Sequence, residues 1–129
     1  MAISVLLIDD DPEVAVIMRT LLRGEDYQVR AVTNGEEGIC ACRDRSPDVI
    51  ILDLMLPEMD GWQVCQRIRE FSDIPILILS ALGMPRNVAS ALQAGADDYM
   101  VKPVHARLLA SRLRSLVQQH ALSGKRQIA

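Results

Sequence analysis

Apolar positions along this chain fall into two alternating patterns. Ile3–Ile8 and Val49–Leu52 are almost unbroken β-branched and leucine runs that stop at an Asp. Continuous runs of this length read as strands buried on both faces. Between them, apolar residues recur at three- and four-residue spacing, as in Val14, Ile17, Met18, Leu21 and Leu22, which is one face of a helix. Asp11-Pro12-Glu13 opens that helix, with an acidic cap, Pro in the first turn and an acid beside the positive end of the dipole. Gly24 closes it. Tyr27–Val32 is a second strand, and Asn34 caps a helix running to about Arg45. After the third strand, Val49–Leu52, residues 53–60 form a loop containing Pro57, and Asp60-Gly61 opens a helix to about Phe71. Residues 75–80 are a fourth strand, and 85–94 a helix closed by Gly95. Residues 99–101 are a short fifth strand. Leu109, Leu113, Leu116 and Val117 mark a last helix, to about residue 119 or 120.

Five strands, each followed by a helix, predict an α/β (βα)5 fold with a parallel sheet covered on both faces. Right-handed crossovers bring the C-terminal ends of all strands to one edge, where open α/β sheets carry their sites. A length of 129 residues suits one domain, here 1–121, with a C-terminal tail or linker stub at 122–129. Half the residues are hydrophobic, which excludes a disordered chain. No apolar run approaches the roughly 18–20 residues of a membrane span, and residues 1–8 are too short for a signal peptide.

Three cysteines (Cys40, Cys42, Cys65) cannot all pair, and no His lies near them in sequence. They are read as small buried apolar residues in a reducing compartment, so a cytoplasmic location is expected. All 17 acids lie at or before Asp98, while 6 of the 14 bases follow it. A molecule-wide basic patch for nucleic acid is therefore absent. The basic end either suits a helix C-terminus or faces an acidic partner.

Chemistry gathers just past the strands. Asp9, Asp10 and Asp11 follow the first, Asp53 the third, Ser80 ends the fourth, and Lys102-Pro103 follows the fifth. Clustered carboxylates repel unless a cation relieves them, and oxygen donors without His or Cys suit Mg²⁺. Lys102 and Ser80 would meet phosphoryl oxygens, and one carboxylate can act as a nucleophile forming an acyl phosphate. Each residue alone has a plainer reading: Asp11 as a helix cap, Asp53 as a turn former, Tyr99 as a half-buried ring.

Three runs carry a resemblance. Leu6-Leu7-Ile8-Asp9-Asp10-Asp11-Pro12, Asp48-Val49-Ile50-Ile51-Leu52-Asp53-Leu54-Met55-Leu56-Pro57-Glu58-Met59-Asp60-Gly61 and Ala94-Gly95-Ala96-Asp97-Asp98-Tyr99-Met100-Val101-Lys102-Pro103 resemble the receiver domain of two-component response regulators, over about residues 3–120. The resemblance implies a flavodoxin-like three-layer sandwich with strand order 2-1-3-4-5. It implies a phosphoacceptor signalling domain, not an enzyme, that takes a phosphoryl group from a sensor histidine kinase or phosphotransfer protein. By position, Asp53 is the phosphorylation site and Asp10 a direct Mg²⁺ ligand. Asp9 supports the metal through water, and Asp53 and the Met55 carbonyl complete the protein ligands. Lys102 contacts the phosphoryl group, Ser80 bonds it, and Ser80 and Tyr99 form the switch. The Lys102–Pro103 peptide is cis in that family.

The same resemblance implies that the phosphorylated domain repacks the face of the fourth helix, fifth strand and fifth helix. That face would control an output domain or a downstream protein, with no membrane contact and no direct nucleic-acid contact by this domain. Homodimerisation through it would draw on Asp97, Asp98, Arg112 and Arg114, although Val88 and Leu108 stand where charged partners are expected. Apolar Met55 and Leu82, two residues past Asp53 and Ser80, imply slow self-dephosphorylation, and the first helix implies the kinase contact. Two rivals are an aspartate-nucleophile phosphatase of the haloacid dehalogenase type, using Asp9 and Asp11, and a receiver-like binding module that is never phosphorylated.

Overall fold

The computed structural model describes residues 2–24 and 26–123. Five strands and five helices alternate strictly: β1 (Ile3–Ile8), α1 (Pro12–Leu21), β2 (Tyr27–Val32), α2 (Gly35–Asp44), β3 (Val49–Leu52), α3 (Gly61–Arg69), β4 (Ile76–Ser80), α4 (Pro85–Gln93), β5 (Asp98–Val101) and α5 (Ala106–Leu122). All strand pairs are parallel, in the order β2-β1-β3-β4-β5. The predicted (βα)5 sandwich and its strand order are both present.

Strand alternation sorts the core into two layers. Leu6, Ile8, Ile50, Leu52, Ile76 and Ile78 face Ile39, Cys42, Val64, Cys65, Ile68 and Ala91 of α2, α3 and α4. Val5, Leu7, Val49, Ile51, Leu77 and Leu79 face Val14 and Met18 of α1 and Leu109, Leu113 and Leu116 of α5. β3 and β4 are buried along their whole length. Burying each such side chain contributes about 1.5–3 kcal/mol before entropy is counted.

The helix starts follow the local chemistry. Asp11, Asn34 and Asp60 each accept an N–H of the first turn, and Asp60 with Gln63 forms a reciprocal capping box. α4 lacks such a cap: Met84 stands at its N-cap position without a side-chain bond, and Pro85 follows. It also buries only Ala91, so it is the helix least tied to the core.

Several boundaries shift. α3 ends at Arg69, not Phe71, and β4 begins at Ile76, because Pro75 has no N–H to donate and joins the sheet only by accepting from Ile50. α5 runs past residue 120 to Leu122, and Ser123 closes it by donating its N–H to the Gln119 carbonyl. That turn takes in the first two residues assigned to the tail. Residues 124–129 of that tail lie outside the described residues.

The cysteine expectation needs one correction. Cys42 and Cys65 are buried, but Cys40 is exposed, because residues two apart on a helix point to different sides.

Candidate functional site

β1 and β3 are neighbours with Ile8 opposite Leu52, so the residues that follow, Asp9 and Asp53, emerge side by side. The Asp53 N–H donates to the Ile8 carbonyl at 3.0 Å, and the Asp9 N–H to the Val32 carbonyl at 3.1 Å. Both carboxylates are buried, 4% and 6% exposed. Asp10 is exposed beside them, and carboxylate oxygens of Asp9, Asp10 and Asp53 all lie within 4.8 Å of one another. Backbone donors fix two of the three: Asp9 Oδ1 accepts from the Asp11 N–H at 3.0 Å, and Asp53 Oδ1 from the Met55 N–H at 3.1 Å.

Lys102 directly follows β5, and its peptide to Pro103 is cis, as the family resemblance implies. Its Nζ donates to Asp9 Oδ2 at 3.0 Å and to Asp53 Oδ2 at 3.1 Å. One ammonium therefore bonds two of the three clustered carboxylates and leaves the negative charge in excess. Burial raises the Asp9 pKa above its ordinary 3.8; the Asp11 N–H and Lys102 oppose that rise, and the Asp53 charge adds to it. Burial pulls the Lys102 ammonium down, but its bonds to Asp9 and Asp53 and their charges outweigh it, so its pKa lies above 10.5. An excess of hard oxygen donors, with no His or Cys among them, fits a divalent ion of the Mg²⁺ or Ca²⁺ kind.

Ser80, at the end of β4, is fully buried, and its Oγ accepts from the Leu82 N–H at 3.3 Å. Tyr99 of β5 is half-buried, and its hydroxyl donates to the Leu82 carbonyl. Burial raises the Tyr99 pKa, with Ser80 opposing and the Asp53 charge adding to the rise. Leu82 is thus held by both proposed switch residues. That backbone role is invisible in the identity of a leucine side chain.

Gly61 was legible only as a helix opener. A Cβ there would stand 2.5 Å from Leu54 Cα and closer still to the Asp53 carbonyl oxygen. Its N–H also donates to the Leu54 carbonyl at 2.9 Å. The start of α3 therefore presses directly on the backbone that carries Asp53. The signal for this was present as an Asp-Gly pair closing the loop that Asp53 begins.

Asp11 turns away from the cluster and caps α1, its Oδ1 accepting from the Glu13 N–H at 3.0 Å, so the pairing of Asp9 with Asp11 as nucleophile and acid/base is not assembled. The charges expected across a dimer face are engaged within the chain: Asp98 with Arg112 at 2.6 Å and Asp97 with Arg69 at 2.8 Å. Arg69 also donates to the carbonyls of Gly95, Ser72 and Ile74, so it ties α3 to the starts of β4 and β5.

Comparison with known proteins agrees with this geometry. A sequence model described as response regulator receiver domain matches residues 5–114. The transcriptional regulatory protein AfsQ1 of Streptomyces coelicolor is 40% identical over 116 residues, which are 90% of this chain and 52% of that protein. The DNA-binding response regulator MtrA of Mycolicibacterium smegmatis is 37% identical over 116 residues, 90% of this chain and 51% of that protein. The chain thus spans about half the length of these relatives. Among solved structures, the receiver domain of a Francisella response regulator superposes with a TM-score of 0.84 at 30% identity, covering 90% of this chain and 97% of that one. The signal receiver domain of a histidine kinase from Syntrophus aciditrophicus gives 0.82 at 34%, covering 92% of each chain.

Proposed function

The chain belongs to the response regulator receiver family, and from that premise we propose that Asp53 is its phosphoacceptor. The donor is the phosphohistidine of a sensor histidine kinase or phosphotransfer protein. The observation that carries this reading is the Lys102 ammonium bridging buried Asp9 and Asp53. Asp53 Oδ2 attacks phosphorus, the nitrogen–phosphorus bond breaks, and the imidazole keeps the electron pair. The transition state of such transfers is loose and needs positioning and charge stabilisation more than covalent assistance. Lys102 follows the charge from the carboxylate to a phosphoryl oxygen, and the Ser80 hydroxyl donates to another.

Asp10, Asp53 and the Met55 carbonyl would hold Mg²⁺, with Asp9 supporting it through water. The chemistry Mg²⁺ supplies when bound is neutralisation of the phosphoryl charge. The 4.8 Å spread of the carboxylate oxygens supports that assignment.

Ser80 and Tyr99 report the new charge to the face of α4, β5 and α5 through their shared hold on Leu82. This is a shift between two packings biased by a local charge. That face exposes Leu92, Val101 and Leu108, which suits apolar contact with an output domain, a downstream protein or a second copy. The whole relatives are named as transcriptional and DNA-binding regulators; for this chain, DNA contact is assigned to a partner or output domain and not to these residues. Among the described residues no helix is long and apolar enough to cross a membrane, and a cytoplasmic place beside the kinase's phosphohistidine fits.

Acetyl phosphate with Mg²⁺, followed by intact mass, tests the proposal. One phosphoryl group is expected per chain, lost when EDTA is added beforehand. No gain in mass, or the same gain with EDTA, overturns it.

A further inference from the structure

The chain has six methionines. Met18 and Met100 are buried and Met59 is partly so, while Met55 and Met84 are 57% and 54% exposed. Both exposed thioethers among the described residues stand on the loops that follow the adjacent strands β3 and β4; Asp53 directly follows the first of these strands and Ser80 ends the second. Met55 is the nearer in the chain, two residues past Asp53, with its N–H on Asp53 Oδ1 at 3.1 Å. The side chain therefore springs from the turn that fixes the acceptor carboxylate, and it is open to solvent.

We propose that Met55 is an oxidation site whose sulfoxide shortens the life of the phosphoryl group on Asp53; this rests on the proposed acceptor role of Asp53. The oxidant is a peroxide. The sulfur lone pair attacks one peroxide oxygen, a sulfur–oxygen bond forms as the oxygen–oxygen bond breaks, and the peroxide leaves as water with sulfur oxidised by two electrons. A thioether is a weak acceptor that holds water poorly. The sulfoxide oxygen is polar and accepts readily, so it retains water beside the acyl phosphate. That water attacks phosphorus, the bond to Asp53 breaks, and inorganic phosphate leaves with the carboxylate restored. The buried thiols do not compete for the oxidant: burial pushes the Cys65 thiol up to about 11 and raises Cys42 as well, and the thiolate is the reactive form.

The test uses the full chain carrying Cys40→Ser, which removes the one exposed thiol. Protein is phosphorylated with acetyl phosphate and Mg²⁺, freed of donor, and followed by intact mass, with and without prior hydrogen peroxide; peptide mapping locates the added oxygen. Oxidation of Met55 is expected to shorten the phosphoryl half-life several-fold. Met55→Leu is expected to abolish that acceleration, measured against its own untreated baseline, and Met84→Leu to keep it. Equal half-lives with Met55 fully oxidised, or the same acceleration in Met55→Leu, overturn the inference alone. Protein that takes no phosphoryl group before oxidant is added overturns the proposed function and this inference with it.

Discussion

Gly61 leaves no room for a side chain against the backbone of Asp53: an added Cβ would meet the Asp53 carbonyl oxygen and Leu54 Cα, and both are main-chain atoms that cannot rotate away. The first turn of α3 and the loop that carries the acceptor are therefore one packed unit. Gly61→Ala is expected to destabilise the fold by about 1–3 kcal/mol, the usual cost of forcing volume into a close-packed site, and to weaken Mg²⁺ binding. Urea unfolding and a Mg²⁺ titration of Trp62 fluorescence check it. An alanine variant with unchanged midpoint and affinity would show that α3 moves independently of Asp53.

The two titrations of the metal-free site lie at opposite ends of the pH scale, and both cost stability as pH rises. The folded pKa of Asp9 lies above its unfolded value of 3.8, so the native state binds the proton more tightly and stability falls as pH rises through that interval. The folded pKa of Lys102 lies above 10.5, so its stabilisation is complete below about that value and is lost as pH climbs through the folded pKa. Asp9→Asn is expected to raise the melting temperature near neutrality by a few degrees in EDTA, and to remove most of the stabilisation that added Mg²⁺ gives the wild type. A lower melting temperature in EDTA would mean that the Asp9 bond to Lys102 outweighs the burial of its charge.

Tyr99 and Ser80 meet at the backbone of Leu82, which makes the loop between β4 and α4 the hinge of the proposed switch. Tyr99→Phe is expected to cost about 0.5–1.5 kcal/mol, the net worth of one hydrogen bond. It should also speed hydrogen exchange in the loop and first turn of α4 while leaving β1 and β3 protected. Uniform loss of protection across the sheet would contradict a local hinge.

The three thiols should separate by reactivity. Cys40 is exposed while Cys42 and Cys65 are buried, and burial holds Cys65 at about 11. Ellman's reagent in mildly alkaline buffer is expected to titrate one thiol in the native protein, mapped to Cys40, and all three in urea. Fast reaction of more than one native thiol would show that α2 and α3 open readily.

Much of this architecture is written in the local sequence. β1, β3 and β4 are nearly continuous apolar runs that cannot sit as surface helices, and Asp11, Asn34 and Asp60 cap the helices they precede. The site's side chains were readable because each directly follows or ends a strand, so parallel topology alone brings them together. Contacts that depend on distant backbone were not readable. Arg69 earns its place from the carbonyls of Gly95, Ser72 and Ile74 together with Asp97, and no spacing around it announces them. Asp97 and Asp98 looked available for a partner until the fold supplied Arg69 and Arg112. The apolar stripe of α5 fades after Val117, yet its hydrogen bonding continues to Leu122, because a helix end needs no apolar residue.

The position of the acyl phosphate tests the central claim most directly. Protein treated with acetyl phosphate and Mg²⁺ is reduced with borohydride, which converts a phosphorylated aspartate to homoserine, and is then mapped by tandem mass spectrometry. Homoserine at residue 53, absent when Asp53 is replaced by Asn, is the predicted result. Homoserine at residue 9, or undiminished labelling of Asp53→Asn, would contradict it.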